Sequence, residues 1–549
     1  MSEIQSLIYS LEVGSIRYWL VRLAMLAMIA GLGVFYYVMQ FNGLGHPQAM
    51  DYAQLARQIS SGEGYSTKFL RPSSLSYYRN APADQSINTD QYPDLVNPPG
   101  YPVAMGVLFK LARPSFNLPT EDLKNYKGFQ PETLIVLFNL TCLLFAAVFF
   151  YLWMRRAFDE RVAIFSTFAL ILTDIVWITV IEGLSIPFLM CLICVLGFCT
   201  NEALIGEEDE APIRATIFWT LGSIFLGLLV LSQYVYLAMW LPLVGLGILG
   251  SKRRIVTGII VLLIPFLIIG PWFLRNISLV GHPFGVSWIQ IFADTPPYEG
   301  SSIWRLYLQD PANAAGLRTL IRAIALGATD FLSGMGRFFG GTILVAAFVA
   351  SCFHLFRRYR VLASRWFWLA CLVFVVVFNS AILKQSDDSL SLTHNFYLPL
   401  LPVLAGFGSA FLFLLIDRLK LPITLLAYPI LAIILIVQAL PMGIRILQQK
   451  PSRFEFPPYF PPSILVTNVF MEEKELVCTD IPWAYAWYAN RPCVWLPHTQ
   501  NDFFSMNDFD LPTSAVILTP YTKQREFLSD IQVGEYKDWA VLITRSDLS

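Results

Sequence analysis

Charge is what this chain has least of. Asp, Glu, Lys and Arg make up 14% of its 549 residues, against roughly 25% in a soluble domain. A chain this poor in charge cannot clothe a soluble surface of its size, so the ordinary soluble classes are excluded. The net charge is −1 and no basic stripe occurs, which leaves nothing to grip nucleic acid. Histidine is scarce, at five residues. There is no HExxH and no Gly-rich phosphate loop, the motifs of a zinc hydrolase and of a nucleotide site. Six of the eight cysteines (Cys142, Cys191, Cys194, Cys199, Cys352 and Cys371) lie in apolar runs and read as core filler. Cys191 and Cys194 have CxxC spacing, but no second pair or histidine accompanies them. Asp387 and Asp388 form a bare acidic pair without context, so no metal ligand set is predicted.

What is abundant is apolar sequence, 56% of the chain. Runs of spanning or near-spanning length recur from Tyr18–Met39 to Ile423–Leu440, about eleven in all, with ten to thirteen open. The first follows a polar start and has no small-residue cleavage site after it, so an uncleaved signal anchor is expected. Short basic loops follow alternate spans: Arg155, Arg156 and Arg161; Arg214; Lys252 to Arg254; Arg357 to Arg365; Arg418 and Lys420. All fall on one side if the N-terminus is cytoplasmic. Three long segments then lie outside: residues 40–132, 277–337, and everything after Pro441.

In the first outer segment, Tyr52, Leu55, Ala56 and Ile59 line one face of a short helix, with Gln48, Asp51, Gln54 and Gln58 on or near the other. Pro47 suits its start and Gly62 its end. The pattern predicts an amphipathic helix lying on the membrane surface with a carboxylate near its N-terminus. After a polar stretch comes YPDLVNPPGYPVAMGVLFKLA, whose prolines fix extended backbone. Val103–Ala112 is too short to span and predicts a second surface or re-entrant helix.

The tail changes character. ELVCTD, PCVWLP, SAVILTP and WAVLITRS read as strands, IPWAYAWYAN and TKQREFLSDI as helices, so a small, largely parallel α/β domain is expected. The expected layout is a transmembrane module over 1–441, a linker over 442–462 and an extracytoplasmic domain over 463–549. Cys478 and Cys493 there are either a disulfide or two buried thiols, with nothing in the spacing to choose between them.

MDYAQLARQISSGEGY, NPPGYP and PWFLRNISLVGHPFG resemble the GT-C superfamily of membrane glycosyltransferases. The similarity is to the bacterial branch with the aminoarabinose–lipid A transferases and protein O-mannosyltransferases. It implies a polytopic enzyme of the bacterial inner membrane. Its donor would be a polyprenyl-phosphate sugar and its acceptor a lipid, glycan or protein on the outer face. A catalytic carboxylate in the first outer loop is implied, and a divalent metal requirement is left open. One departure stands out. The acid of the family pattern falls about four residues before the helix tyrosine, where this chain has Gln48. Asp51 is the only carboxylate in that helix start, either a base or a residue that favours the helix dipole.

Other candidates follow. Glu182 sits at the outer end of a span, where a carboxylate is costly without a role. Arg275 in PWFLRN can grip a lipid phosphate or anchor to headgroups. Lys384 and His394 flank the last outer loop and, with Arg71, could neutralise donor phosphate. Tyr52 and Tyr101, in the helix and the proline turn, would line the acceptor side together with Gln48. A transporter or flippase of lipid-linked sugars, and a non-catalytic binder of them, are the rival classes. The first outer loop of about ninety residues and the α/β tail favour an acceptor-handling enzyme.

Overall fold

The computed structural model describes residues 15–79, 87–118, 128–292, 302–307, 317–341, 343–354, 358–382, 396–418, 426–448, 461–472, 474–519 and 537–540. Helix α1 (Ser15–Met39) leads into α2 (Pro47–Ser61), strand β1 (Phe69–Leu70), α3 (Pro72–Arg79) and α4 (Gly100–Ala112). The bundle continues with α5 (Gln130–Ala157), α6 (Glu160–Ile171), α7 (Asp174–Ile181), α8 (Ile186–Glu208) and α9 (Pro212–Ser232). Then come α10 (Trp240–Gly250), α11 (Arg254–Val280), α12 (Leu317–Phe338), α13 (Ile343–Cys352), α14 (Tyr359–Ile382), α15 (Leu401–Arg418) and α16 (Tyr428–Leu447).

Among the described residues, eight helices are long and apolar enough to cross a membrane, and α6 with α7, bent by 53°, makes a ninth. Two shorter apolar segments, Tyr234–Gly250 and Ile343–Cys352, stand where the sequence predicts the remaining spans. Burial sorts the bundle. Of the apolar stretch of α8, 83% is covered by protein, against 22% for α1 and 17% for α16. Helix α8 is therefore the axis, and α1 and α16 turn most of their surface to lipid. Small residues let backbones close up around it. A Cβ on Gly197 of α8 would lie 2.6 Å from the Trp153 ring of α5, and one on Gly206 would lie 2.8 Å from the backbone of Ala215.

The basic residues gather at one end of the bundle, where they meet the carboxylates of the same loops. Arg214 bonds to Glu202, and Arg360 lies 3.6 Å from Glu208. At the other end the loops and the tail build one composite unit. Strands β2 (Val477–Thr479), β3 (Cys493–Trp495) and β4 (Ala515–Ile517) come from the tail, with α17 (Gln500–Phe509) between the last two. All pairings are parallel, in the order β1-β3-β2-β4. The sheet therefore takes an edge strand from residues 69–70 and reaches beyond the 463–549 segment. A second apolar core unites all three outer segments, with Leu75 and Leu95 from the first, Ile289 and Ile303 from the second, and Leu476 and Met506 from the tail.

One expectation changes in detail. Helix α2 begins and ends at Pro47 and Gly62 as its spacing predicts, and Gly62 takes the left-handed conformation at φ 88°. Its polar face, however, is not open. Asp51, Gln54 and Gln58 are buried with Leu55 and Ala56, because the rest of the first outer segment covers Asp51 and Gln54 and the tail covers Gln58. Arg57 donates to the Trp487 carbonyl at 3.1 Å and Gln58 to Asn490 Oδ1 at 3.3 Å. Helix α12 occupies much of the second outer segment and packs Ala323, Phe331 and Phe338 inward. The TKQREFLSDI helix and most of WAVLITRS lie outside the described residues.

Cys478 and Cys493 are free buried thiols on adjacent strands. Each faces a valine across the β2–β3 pairing, Cys478 opposite Val494 and Cys493 opposite Val477. The Cys493 thiol donates to the Pro482 carbonyl at 3.0 Å. Burial pushes both thiols well above their usual range. Denatured, unreduced protein should therefore take up a maleimide at all eight cysteines. Mass spectrometry giving six adducts would restore the disulfide.

Candidate active site

The site grows from α2. Residues three and four apart share a helix face, so Asp51 and Gln54 emerge together, toward β1 and the NPPGYP turn. Asp51 Oδ2 accepts from Arg71 Nη2 at 2.5 Å and from Asn97 Nδ2 at 2.8 Å. Asp51 Oδ1 accepts from Gln54 Nε2 at 3.1 Å. The Asp51 and Arg71 side chains are 4% and 9% exposed, so this is a buried ion pair completed by neutral donors. Arg71 also lies flat over Phe69, its carbon 4.1 Å from the ring centre.

Asp94 joins the same cluster. Its Oδ2 lies 3.8 Å from Arg71 Nη1. Its Oδ1 closes a local turn, accepting from the Asn97 and Val96 backbone N–H groups at 2.6 and 3.0 Å. Asn97 Nδ2 donates to both acids, at 2.8 Å to Asp51 and 3.2 Å to Asp94. Burial and the neighbouring Asp51 charge push the Asp94 carboxyl up, while Arg71 pulls it down. Asp94 was not foreseen. The Asp-x-x-Asn spacing ahead of two prolines, a turn signature, is the signal that marks it.

Arg275, at the outer end of α11, extends the cluster. It donates to the Asp94 carbonyl and to Asn276 Oδ1, both at 3.0 Å, and lies 4.5 Å over the Trp272 ring. Gln48 turns away from Asp51 and donates to the Tyr52 hydroxyl at 2.8 Å. Tyr52 meets Tyr101 edge-on at 5.6 Å. The Tyr101 hydroxyl is within 3.0 Å of Asn139 Oδ1 and of the Gly183 carbonyl, pinning α4 to α5 and to the turn after α7.

That turn carries Glu182. Gly183 needs φ 75° there, and a Cβ would strike Leu44 at 2.5 Å and meet Ala49 at 3.4 Å. Ala49 and Asp51 are two residues apart, which puts them on opposite sides of α2. Gly183, next to Glu182, therefore lies on the side of α2 away from Asp51. The Glu182 Oε2 is buried without a hydrogen-bond partner among the described residues. Burial pushes the carboxyl up to about 7, with Arg445 pulling the other way. Arg445 itself grips Asp174 through Nε, 3.0 Å from each carboxylate oxygen, and the Tyr36 hydroxyl donates to Asp174.

The structure thus brings Asp51, Arg71 and Arg275 together around Asp94, sets Gln48, Tyr52 and Tyr101 in an adjacent row, and holds Glu182 apart. Lys384 and His394, like Asp387 and Asp388, lie outside the described residues. The cluster does not fit a metal ion. A guanidinium stands between Asp51 and Asp94, and among the described residues no three His, Cys, Asp or Glu side chains converge.

No family model matches the sequence, and no curated protein does. Solved structures share the fold. ArnT from Cupriavidus metallidurans, bound to undecaprenyl phosphate, is 12% identical with a TM-score of 0.52, covering 92% of this chain and 94% of its own. The oligosaccharyltransferase AglB from Archaeoglobus fulgidus, in complex with an inhibitory peptide and a dolichol-phosphate, is 11% identical with a TM-score of 0.56, covering 94% and 72%. An Archaeoglobus fulgidus oligosaccharyltransferase in complex with Zn and sulfate is 14% identical at a TM-score of 0.50. The match covers 89% of this chain but only 66% of that longer one. The chain thus shares the fold of these proteins, and its apolar helices are those of an integral membrane protein.

Removing one partner of a buried ion pair costs about 3–5 kcal/mol, because the other charge is left stranded. Asp51→Ala and Arg71→Met should each lower the melting temperature in detergent sharply. The double variant should lose less than the two combined. Strictly additive losses would show that the pair is not coupled.

Proposed function

We infer that this chain is a membrane glycosyltransferase that takes a sugar from a polyprenyl phosphate and passes it to a lipid, glycan or protein acceptor. The observation that carries this is the near end-to-end likeness to ArnT, together with acids and arginines gathered where that fold's loops meet its spans. The ArnT and AglB structures both hold polyprenyl phosphates. A donor carried in the lipid also accounts for a chain without a nucleotide-binding loop.

The chemistry is an inverting displacement. An acceptor hydroxyl attacks the anomeric carbon, the bond from that carbon to the phosphate oxygen breaks, and a protein carboxylate takes the hydroxyl proton. Polyprenyl phosphate leaves with the bonding pair, and cations stabilise its growing charge. Geometry supports a division of labour between the two candidate acids. Both Asp51 oxygens are engaged by donors, so an acceptor would have to displace Asn97 or Gln54 to reach it. Asp51 fits better as the group that fixes Arg71. Glu182 has an oxygen without a partner among the described residues and a proton affinity near neutrality, which suits a base. Arg275 and Arg71, with Lys384 and His394 from the last loop, are the proposed phosphate ligands. Gln48, Tyr52 and Tyr101 are proposed for the acceptor side.

A base must be deprotonated, and burial raises Glu182, so the active fraction grows as pH rises through about 7. Release of polyprenyl phosphate from a lipid-linked sugar should follow that rise in kcat/KM and level off above it. Glu182→Gln should cut turnover by about 10²–10⁴ with melting temperature unchanged, and its residual rate should lose the inflection. If Glu182→Gln turns over normally while a well-folded Asp51→Asn is inactive, the base is Asp51.

A further inference from the structure

The end of the bundle opposite the candidate site holds a feature that sugar transfer does not use. Helix α1 touches its neighbours closely in its second half. Gly33 lies against Leu140, where a Cβ would come within 3.0 Å of the methyls, and Tyr36 stacks on Trp177 at 5.5 Å. Between the first half of α1 and the second half of α5 the helices leave an open trough of about 290 Å³. Met25, Ile29, Leu144 and Val148 form its apolar walls, and Arg22, Arg155 and Tyr151 stand at one end.

The polar end is organised. Arg22 donates to the Tyr151 hydroxyl at 3.5 Å and lies 5.6 Å over its ring. Tyr151 donates to Glu160, which also pairs with Arg155 at 2.7 Å. Two guanidiniums thus gather around one carboxylate at this end. The Arg155 side chain is 47% exposed, so it can take a second anion without breaking from Glu160. The trough lies on the lipid-facing side of the bundle. Its volume is at the lower limit of the roughly 300 Å³ of a small-molecule pocket, a size for one chain rather than a folded ligand.

We propose that this trough binds one anionic phospholipid, its phosphate on Arg22 and Arg155 and an acyl chain laid between α1 and α5. Apolar walls ending in cations match that occupant's two parts. The trough opens at the end where the arginine-rich loops gather, and such loops mark the face where anionic headgroups concentrate. This site is independent of the sugar-transfer reading. A polyprenyl phosphate has the same two parts and is distinguished by the test.

The test is native mass spectrometry of the full chain, delipidated in detergent and titrated with phosphatidylglycerol or phosphatidylcholine of matched acyl chains. Wild type should bind phosphatidylglycerol in preference, at one saturating site. Arg22→Gln and Arg155→Gln should each weaken that binding about fivefold and leave phosphatidylcholine unaffected. Val148→Trp, which fills the trough from its exposed rim, should weaken both lipids. Equal binding of the two lipids, or a double arginine variant with wild-type affinity, would overturn the proposal. So would displacement of bound phosphatidylglycerol by polyprenyl phosphate. Arg155→Gln alone carries the test should Arg22→Gln misfold.

Discussion

The outer half of this molecule hangs on one buried ion pair. Asp51 belongs to the helix after the first span, Arg71 follows the edge strand of the sheet, and Asn97 belongs to the proline turn that starts α4. The strand and the turn are short elements with little apolar surface of their own. Joining them through one carboxylate fixes where the helix, the sheet and the turn sit relative to one another. Charge in the interior costs several kcal/mol unless its geometry and hydrogen bonds are complete. Here they are complete, with three donors on Asp51 and an aromatic face beneath Arg71.

The tail seals that arrangement. The β1–β3 pairing, the Arg57 and Gln58 bonds to residues 487 and 490, and the buried Glu132 that accepts from Trp487 and Tyr488 all tie it to the first outer segment. Glu132 opens α5, so the lock reaches the spans themselves. The loops and the tail thus behave as one lid on the bundle, built from three stretches of chain far apart in sequence.

Local signals were legible and long-range ones were not. Pro47 and Gly62 gave the ends of α2, three tail strands were readable from their β-branched runs, and the spans from their hydropathy. The depth of Asp51 was not readable. Its Gln-rich helix face looks like a solvated one, and the residues that cover it come from the loops that follow, Arg71 and Asn97, and from the tail more than 400 positions away. Strand β1 is two residues long, too short for any periodicity. Asp94 looked like an ordinary loop residue until Arg71 and Arg275 converged on it. Helix α12 carries a helical pattern that its Gly, Ser and Thr content obscured. Sequence also set Asp51 and Glu182 side by side as candidate acids, and only the structure separates them, Asp51 within the cluster on α2 and Glu182 in the turn after α7.

The central claim is that the outer end of the bundle performs group transfer. The most direct measurement uses purified protein in sealed vesicles containing a polyprenyl-phosphate sugar, with free polyprenyl phosphate followed in time with and without a chelator. The account predicts acceptor-dependent release of polyprenyl phosphate, with the chelator arm reporting whether a divalent metal takes part. Movement of the intact lipid-linked sugar from one leaflet to the other, with its bond to phosphate unbroken, would contradict it.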